Sequence, residues 1–202
     1  MLVRALRENR PVSDREFDMV FPPAIRALSE RHWTPASVAR RAATLLARSR
    51  DSHILDVGSG VGKFCIIGSL STGARFAGIE QRSHLVDVAR GTARWCGAAR
   101  ATFLAGDIRN VNWRGFDGLY LFNPFAEHLF GTAERIDGTV PLTRERYDDD
   151  VHFASCELRA LTLGTRVALY HSFGTNVPSG FEWIHHERFG SGALDVWEKR
   201  IP

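Results

Sequence analysis

Residues 54–62, Ile54-Leu55-Asp56-Val57-Gly58-Ser59-Gly60-Val61-Gly62, constrain what this chain can fold into more than any other stretch. A short apolar run ends in an acid, and glycines then alternate through Gly58, Gly60 and Gly62 ahead of an apolar segment. Glycine allows a sharp bend from strand to helix and lets backbone N–H groups come close to a ligand at the helix N-terminus. Two nucleotide-binding patterns fail here. A phosphate-binding loop needs Gly-x-x-x-x-Gly-Lys-Ser/Thr, but counting back from Gly62-Lys63 puts Val57 at its first position, and Phe64 follows Lys63. A dinucleotide fingerprint begun at Gly58 and Gly60 needs its third glycine at position 63, which is Lys63.

Around this segment, strands alternate with helices from about residue 50 to 170, the pattern of a parallel α/β sheet. The expected strands are His53 to Val57, Arg75 to Ile79, Ala101 to Leu104, Gly118 to Phe122 and Val167 to Tyr170. Between them lie expected helices at Val61 to Leu70 and Ser83 to Cys96. Tyr147, Val151, Ala154, Leu158 and Leu161 recur at helical spacing and predict a further amphipathic helix, with Asp148 to Asp150 in early turns where the helix dipole favours acid. Gly131, Gly138 and Pro141 break the polar stretch before it into a loop or insertion. After residue 170, Phe181 to His185 and Ala193 to Trp197 predict a hairpin about Gly190-Ser191-Gly192. The expected fold is a doubly wound, mostly parallel sheet with an antiparallel C-terminal hairpin, in a three-layer αβα sandwich.

Ahead of the sheet, Thr34 reads as the N-cap of a helix with Pro35 in its first turn, and Val38, Ala42 and Leu45 mark its apolar face. Residues 1–50 are expected to form a helical extension or lid on a domain of residues 51–202. The formal charge of +3 is spread unevenly, with ten arginines against five acids in residues 1–50. Lys63 and Lys199 are the only lysines, so arginine is favoured along the whole chain and is no sign of nucleic-acid binding here. Cys65, Cys96 and Cys156 form neither a disulfide framework nor a Cys-x-x-Cys pair, which suits a reducing, cytoplasmic setting. No signal peptide or membrane-spanning run is read in the sequence.

Two further acids follow the next two strands. Phe76-Ala77-Gly78-Ile79-Glu80 ends in an acid about 20 residues past the glycine loop, where a doubly wound fold places a carboxylate on a ribose diol. Gly106-Asp107-Ile108 follows the third strand. With Asp56, these residues order three acids after three successive strands. Asp-x-Gly-x-Gly-x-Gly directly after a strand, together with Glu80 and Asp107, resembles the class I S-adenosylmethionine (SAM)-dependent methyltransferases. The resemblance covers about residues 50–125. It implies that Asp56, Gly58, Ser59, Gly60 and Gly62 wrap the methionyl part of SAM and that Glu80, with Gln81 beside it, takes the ribose. It further implies that Asp107 accepts from the adenine amine while Ile108 packs on the ring.

Asn123-Pro124-Phe125 ends the fourth strand, where amino-group methyltransferases of this superfamily carry Asn/Asp-Pro-Pro-Tyr/Phe. Asn123 Oδ1 and the Pro124 carbonyl are expected to accept from a target NH2 so that its lone pair faces the methyl group, with Phe125 as pocket wall. Asn123 also counts among the cofactor contacts. The single proline departs from the motif and turns the expected acceptor away from a nucleobase, toward a protein or small-molecule amine. The core from Asp56 to Glu127 is also similar to the histone-lysine methyltransferases that lack a SET domain, although their long N-terminal substrate region has no counterpart here.

Two other readings stay open: a small-molecule O-methyltransferase with His128 as base, and a SAM-binding module without catalysis. His171, His185 and His186 with Glu187 make a poor metal site, because adjacent strand residues point to opposite faces, and no metal is expected. Among the tryptophans, Trp33 is the one expected near the cofactor mouth.

Overall fold

Five helices precede the first strand in the computed structural model, which describes residues 1–171 and 177–201. They are α1 (Leu2–Arg7), α2 (Asp14–Asp18), α3 (Pro23–Arg26), α4 (Ser29–His32) and α5 (Ala36–Leu46). The rest of the chain is β1 (His53–Val57), α6 (Lys63–Thr72), β2 (Arg75–Glu80), α7 (Ser83–Cys96), β3 (Ala101–Ala105), β4 (Gly118–Phe122), α8 (Arg144–Arg159), β5 (Arg166–Tyr170), β6 (Phe181–Phe189) and β7 (Gly192–Lys199), with one-turn 3-10 segments between. The seven strands form one sheet in the order β3-β2-β1-β4-β5-β7-β6. Strands β1 to β5 pair in parallel, and β7 runs antiparallel to both β5 and β6. The mostly parallel sheet and its antiparallel C-terminal hairpin are those expected from the sequence.

Alternation along the strands divides the core in two. Ile54, Phe76, Tyr120, Ala168 and Val196 face a cluster with α5, α6 and α7, whereas Leu55, Val57, Leu119, Leu121, Val167 and Leu169 face α8. Asp56, between Leu55 and Val57, therefore points to the α6 side. Val151, Ala154, Leu158 and Leu161 of the expected stripe are buried against the second face. Helix α5 lies in the first cluster with Ile54 and the α6 residues, so the last helix of the N-terminal segment packs in the core of the sheet domain.

Local chemistry moves several expected boundaries. Gly62 sits at φ +76°, outside helical space, so α6 starts at Lys63 rather than Val61. Thr34 does not cap α5: its hydroxyl accepts from the Tyr120 phenol at 3.2 Å, and Pro35 holds the cap position. The Ala36 amide donates instead to Asp14 Oδ1 at 2.7 Å, so a carboxylate on α2 does the capping. Helix α8 begins at Arg144 with Thr143 as its cap, which leaves Asp148 to Asp150 beyond the first turn, where the dipole is weak. The C-terminal hairpin runs further than expected, through Phe189, with a bulge between Trp183 and His185. Among the described residues, no helix is long and apolar enough to cross a membrane.

Candidate active site

The strand order reverses at β1, whose neighbours β2 and β4 leave in opposite directions, and in open α/β sheets that point opens a crevice at the C-terminal strand ends. A cleft lies there. Of the residues singled out in the sequence, Gly58, Gly60, Glu80, Gln81, Asp107, Ile108, Asn123, Pro124 and Phe125 line it. Asp56 and Ser59 instead line a small chamber behind the glycine loop, and Trp33 lines both spaces.

The loop is held by its own backbone and by β2. The amides of Gly58 and Ser59 both donate to the Ile79 carbonyl at 3.0 Å. Ser59 lies over Gly78, where a Cβ would come within 2.6 Å of its side chain. Gly62 is fixed by shape, since a Cβ there would stand 2.5 Å from the Phe103 ring. Gly58 differs: a Cβ on it would meet nothing nearer than Pro124 at 3.8 Å, so its missing side chain leaves a space between the loop and the end of β4.

Glu80 is buried, with one oxygen accepting from the Gly60 amide at 3.1 Å and the other from the Arg82 amide at 2.9 Å. Burial raises its pKa, an effect only partly offset by those two bonds and the Arg82 charge. Each oxygen keeps a lone pair for a hydroxyl donor. Asp56 is pushed up to about 8 by burial, although the Cys65 thiol donates to it at 3.5 Å. Ser59 Oγ, also buried, has no hydrogen-bond partner among the described residues.

Asp107 closes the far side of the cleft. Its carboxylate accepts from the Arg109 amide and side chain and from the Arg146 guanidinium. Burial opposes its ionisation, but these bonds hold its pKa below the ordinary value. The same two arginines also bind Asp150 of α8, with Arg109 Nη1 at 2.6 Å and Arg146 Nε at 3.2 Å. His128 Nε2 completes the set, 3.2 Å from Asp150 Oδ2. The sequence reading missed this quartet of two acids and two arginines, although Arg146 and Asp150 stand four apart on one helix face, a spacing open to inspection.

Asn123 follows β4 at φ +43°, a left-handed conformation that asparagine tolerates better than most residues. Phe125 is buried and packs with Leu55, Val57 and Leu121, so it serves the core as well as the cleft wall. The segment after it is tied down by buried Arg82, which binds Glu127 at 2.9 Å and Asp137 at 3.0 Å. Of the ten N-terminal arginines, Arg31 lines the cleft, beside His32 and Trp33. The C-terminal histidines do not converge: His185 pairs with Glu187 and His186 with Asp195. Among the described residues, no group of three His, Cys, Asp or Glu side chains is placed to hold a metal.

Neither a family model nor a curated protein matches the sequence. Solved structures do. An RNA methyltransferase from Salinibacter ruber in complex with S-adenosyl-L-homocysteine superposes with a TM-score of 0.60 at 21% identity, over 84% of this chain and 95% of that one. TrmN from Thermus thermophilus gives 0.63 at 20% identity, over 87% of this chain and 52% of that one. A precorrin-6y C5,15-methyltransferase from Geobacter metallireducens gives 0.54 at 12% identity, over 85% and 92%. The chain thus has the fold of the class I SAM-dependent methyltransferases, as the sequence resemblance implied. The further likeness to the histone-lysine enzymes rests on sequence motifs alone.

Proposed function

We propose that this chain is a SAM-dependent methyltransferase. One observation carries the reading: the glycine loop, the acids after β2 and β3 and the Asn123-Pro124-Phe125 segment line a single cleft at the strand ends. These residues fit SAM. Gly58 leaves room between loop and Pro124, Glu80 retains acceptor capacity for a ribose diol, and Asp107 with Ile108 offers an acceptor and an apolar surface to adenine. SAM supplies an activated methyl group on a sulfonium. The protein contributes position, holding the acceptor atom in line with that methyl group. Of residues 1–50, Arg31, His32 and Trp33 reach the cleft and cover its mouth, and the free thiols suit a cytoplasmic enzyme.

Two acceptor chemistries fit the end of β4. Asn123 Oδ1 and the Pro124 carbonyl suit the hydrogens of an amine on a protein or small molecule. A hydroxyl acceptor is favoured by a different observation, the buried His128 beside Asp150. Calorimetry with SAM, S-adenosylhomocysteine, ATP and NAD tests the cofactor: the first two are expected to bind, and ATP or NAD binding tighter than SAM would refute the reading. Incubation with methyl-labelled SAM and the protein, RNA and small-molecule fractions of a lysate tests the transfer.

A further inference from the structure

At the end of the sheet remote from the cleft, arginines gather without acids to balance them. Arg50 stands just before β1, Arg75 opens β2 and Arg100 stands just before β3, so three neighbouring parallel strands each begin at an arginine. Arg7 of α1 and Arg94 in the last turn of α7 complete the group. All five are exposed, and none is paired with a carboxylate among the described residues. Three of them donate to backbone carbonyls instead: Arg7 to Gly97 at 3.4 Å, Arg75 to Asp51 at 3.0 Å and Arg100 to Arg50 at 2.8 Å. A surface hollow lies among Arg7, Arg50, Arg100 and the hydroxyl residues Ser71 and Thr72, and no acid lines it.

Helix ends explain part of this. Helices α6 and α7 both stop here, at Gly73 and Gly97, and a helix C-terminus attracts cations. The two ends together carry about one unit of negative charge, and Asp51 adds another, which leaves about three of the five positive charges unbalanced. Their mutual repulsion works against folding. Arginine is abundant along the whole chain, but many others are paired: Arg4 and Arg10 with Glu8, Arg90 with Asp87, Arg166 with Glu198. Placement, not abundance, sets this group apart. A second observation lies two residues before Gly97. Trp95 is 68% exposed on the same last turn of α7, whose end Arg7 reaches, although an indole gains from burial.

We infer that this face binds single-stranded nucleic acid, with phosphates on the guanidinium groups of Arg7, Arg50 and Arg100 and a base stacked on Trp95. Guanidinium groups match phosphate oxygens with paired donors. An indole accepts any base, because every base has a π-face. A duplex keeps its bases stacked inside and would leave Trp95 unused, so charge and aromatic surface together favour a single strand. Strand β1 is five residues long, roughly 17 Å, which separates this face from the glycine loop. Its ligand is therefore independent of the methyl-transfer reading.

Fluorescence anisotropy of the full chain with a labelled oligouridine about twelve nucleotides long is the test. With about three phosphate contacts, log K is expected to fall with log salt at a slope near −2 between about 50 and 200 mM. Arg7→Gln, Arg50→Gln and Arg100→Gln combined should flatten that slope toward zero. Trp95→Ala should weaken binding about 5- to 150-fold, the worth of one stacked base, and leave the slope unchanged. Binding of heparin, a polyanion without bases, should depend on the arginines and be indifferent to Trp95→Ala. Because Trp95 is exposed, its replacement should melt as wild type does. Should the triple arginine variant melt early, Trp95→Ala and the wild-type slope decide alone. Equal oligouridine affinity in wild type and Trp95→Ala, an unchanged slope in a folded triple variant, or a duplex bound as tightly as the single strand would overturn the inference. So would an absence of oligouridine binding at the lowest salt.

Discussion

Glu80 Oε2 accepts the Gly60 amide at 3.1 Å, so the acid that ends β2 and the glycine loop that follows β1 form one hydrogen-bonded unit. The carboxylate that would receive a ribose also sets the position of the backbone beneath it. Ligand contact and loop geometry are therefore inseparable at this residue.

Glu80→Ala is expected to weaken SAM binding about 10- to 100-fold, the worth of hydrogen bonds to a charged group. Glu80→Gln keeps one carbonyl oxygen and should lose less. Calorimetry on variants whose melting curves remain cooperative measures both. An unchanged affinity in folded Glu80→Ala would remove this residue from the site.

Gly58 and Gly62 share φ +76° but not their surroundings, and substituting each with alanine separates folding from binding. Gly62→Ala drives a methyl into Phe103 and Ala89, so strain and overpacking together should destabilise by about 2–5 kcal/mol. Gly58→Ala meets only Pro124, at an ordinary contact distance of 3.8 Å, and should lose only about 1–2 kcal/mol of backbone strain, while its methyl fills the gap beside Pro124 and weakens SAM binding. Denaturant titration and calorimetry report the two effects. Equal SAM affinity in Gly58→Ala and wild type would place the ligand elsewhere.

The strands and the order of the three acids were legible because both are local: a buried strand reads as apolar residues, and the acids stand near the strand ends in the sequence itself, Asp56 inside β1, Glu80 as the last residue of β2 and Asp107 just past β3. The alternation of Ile54 and Leu55 between two cores follows from the period of a strand. The electrostatic support of the cleft was not legible. Arg82 meets Asp137 55 positions away, and Arg109 meets Asp150 41 positions away, so these pairs exist only once the chain has folded. The same holds for the cap of α5, which Asp14 supplies from another helix. Gly62 shows the opposite failure, since its glycine marked the turn correctly while its left-handed φ delayed the helix.

Asp56 makes stability depend on pH. Its folded pKa, about 8, lies above the ordinary 3.8 because burial penalises the charged form. The folded state thus holds a proton that the unfolded chain has released, and stability from this group is present below pH 4 and lost as pH rises toward 8. Glu80 acts in the same direction. Urea titrations of wild type between pH 5 and 8.5 should show a decline that is shallower in Asp56→Asn. Parallel curves for the two proteins would mean that Asp56 ionises freely in the fold.

Asn123 offers the sharpest separation of catalysis from binding. Its φ of +43° makes glycine the replacement that removes the amide without adding backbone strain, so Asn123→Gly is the informative variant and Asn123→Ala its strained companion. If the amide orients the acceptor, Asn123→Gly should cut methyl transfer by about 10- to 1000-fold, the scale of lost positioning or of one hydrogen bond made in the transition state. SAM affinity should change far less, because an interaction confined to the transition state lowers turnover without loosening the ground state. Phe125→Ala should behave differently: the ring lies in the core beside Leu55 and Leu121, so about 3–5 kcal/mol of stability should go along with any activity. Initial rates, calorimetry and denaturant midpoints on the same preparations distinguish the three patterns. Wild-type turnover in Asn123→Gly would reduce the residue to a turn and leave acceptor positioning to its neighbours.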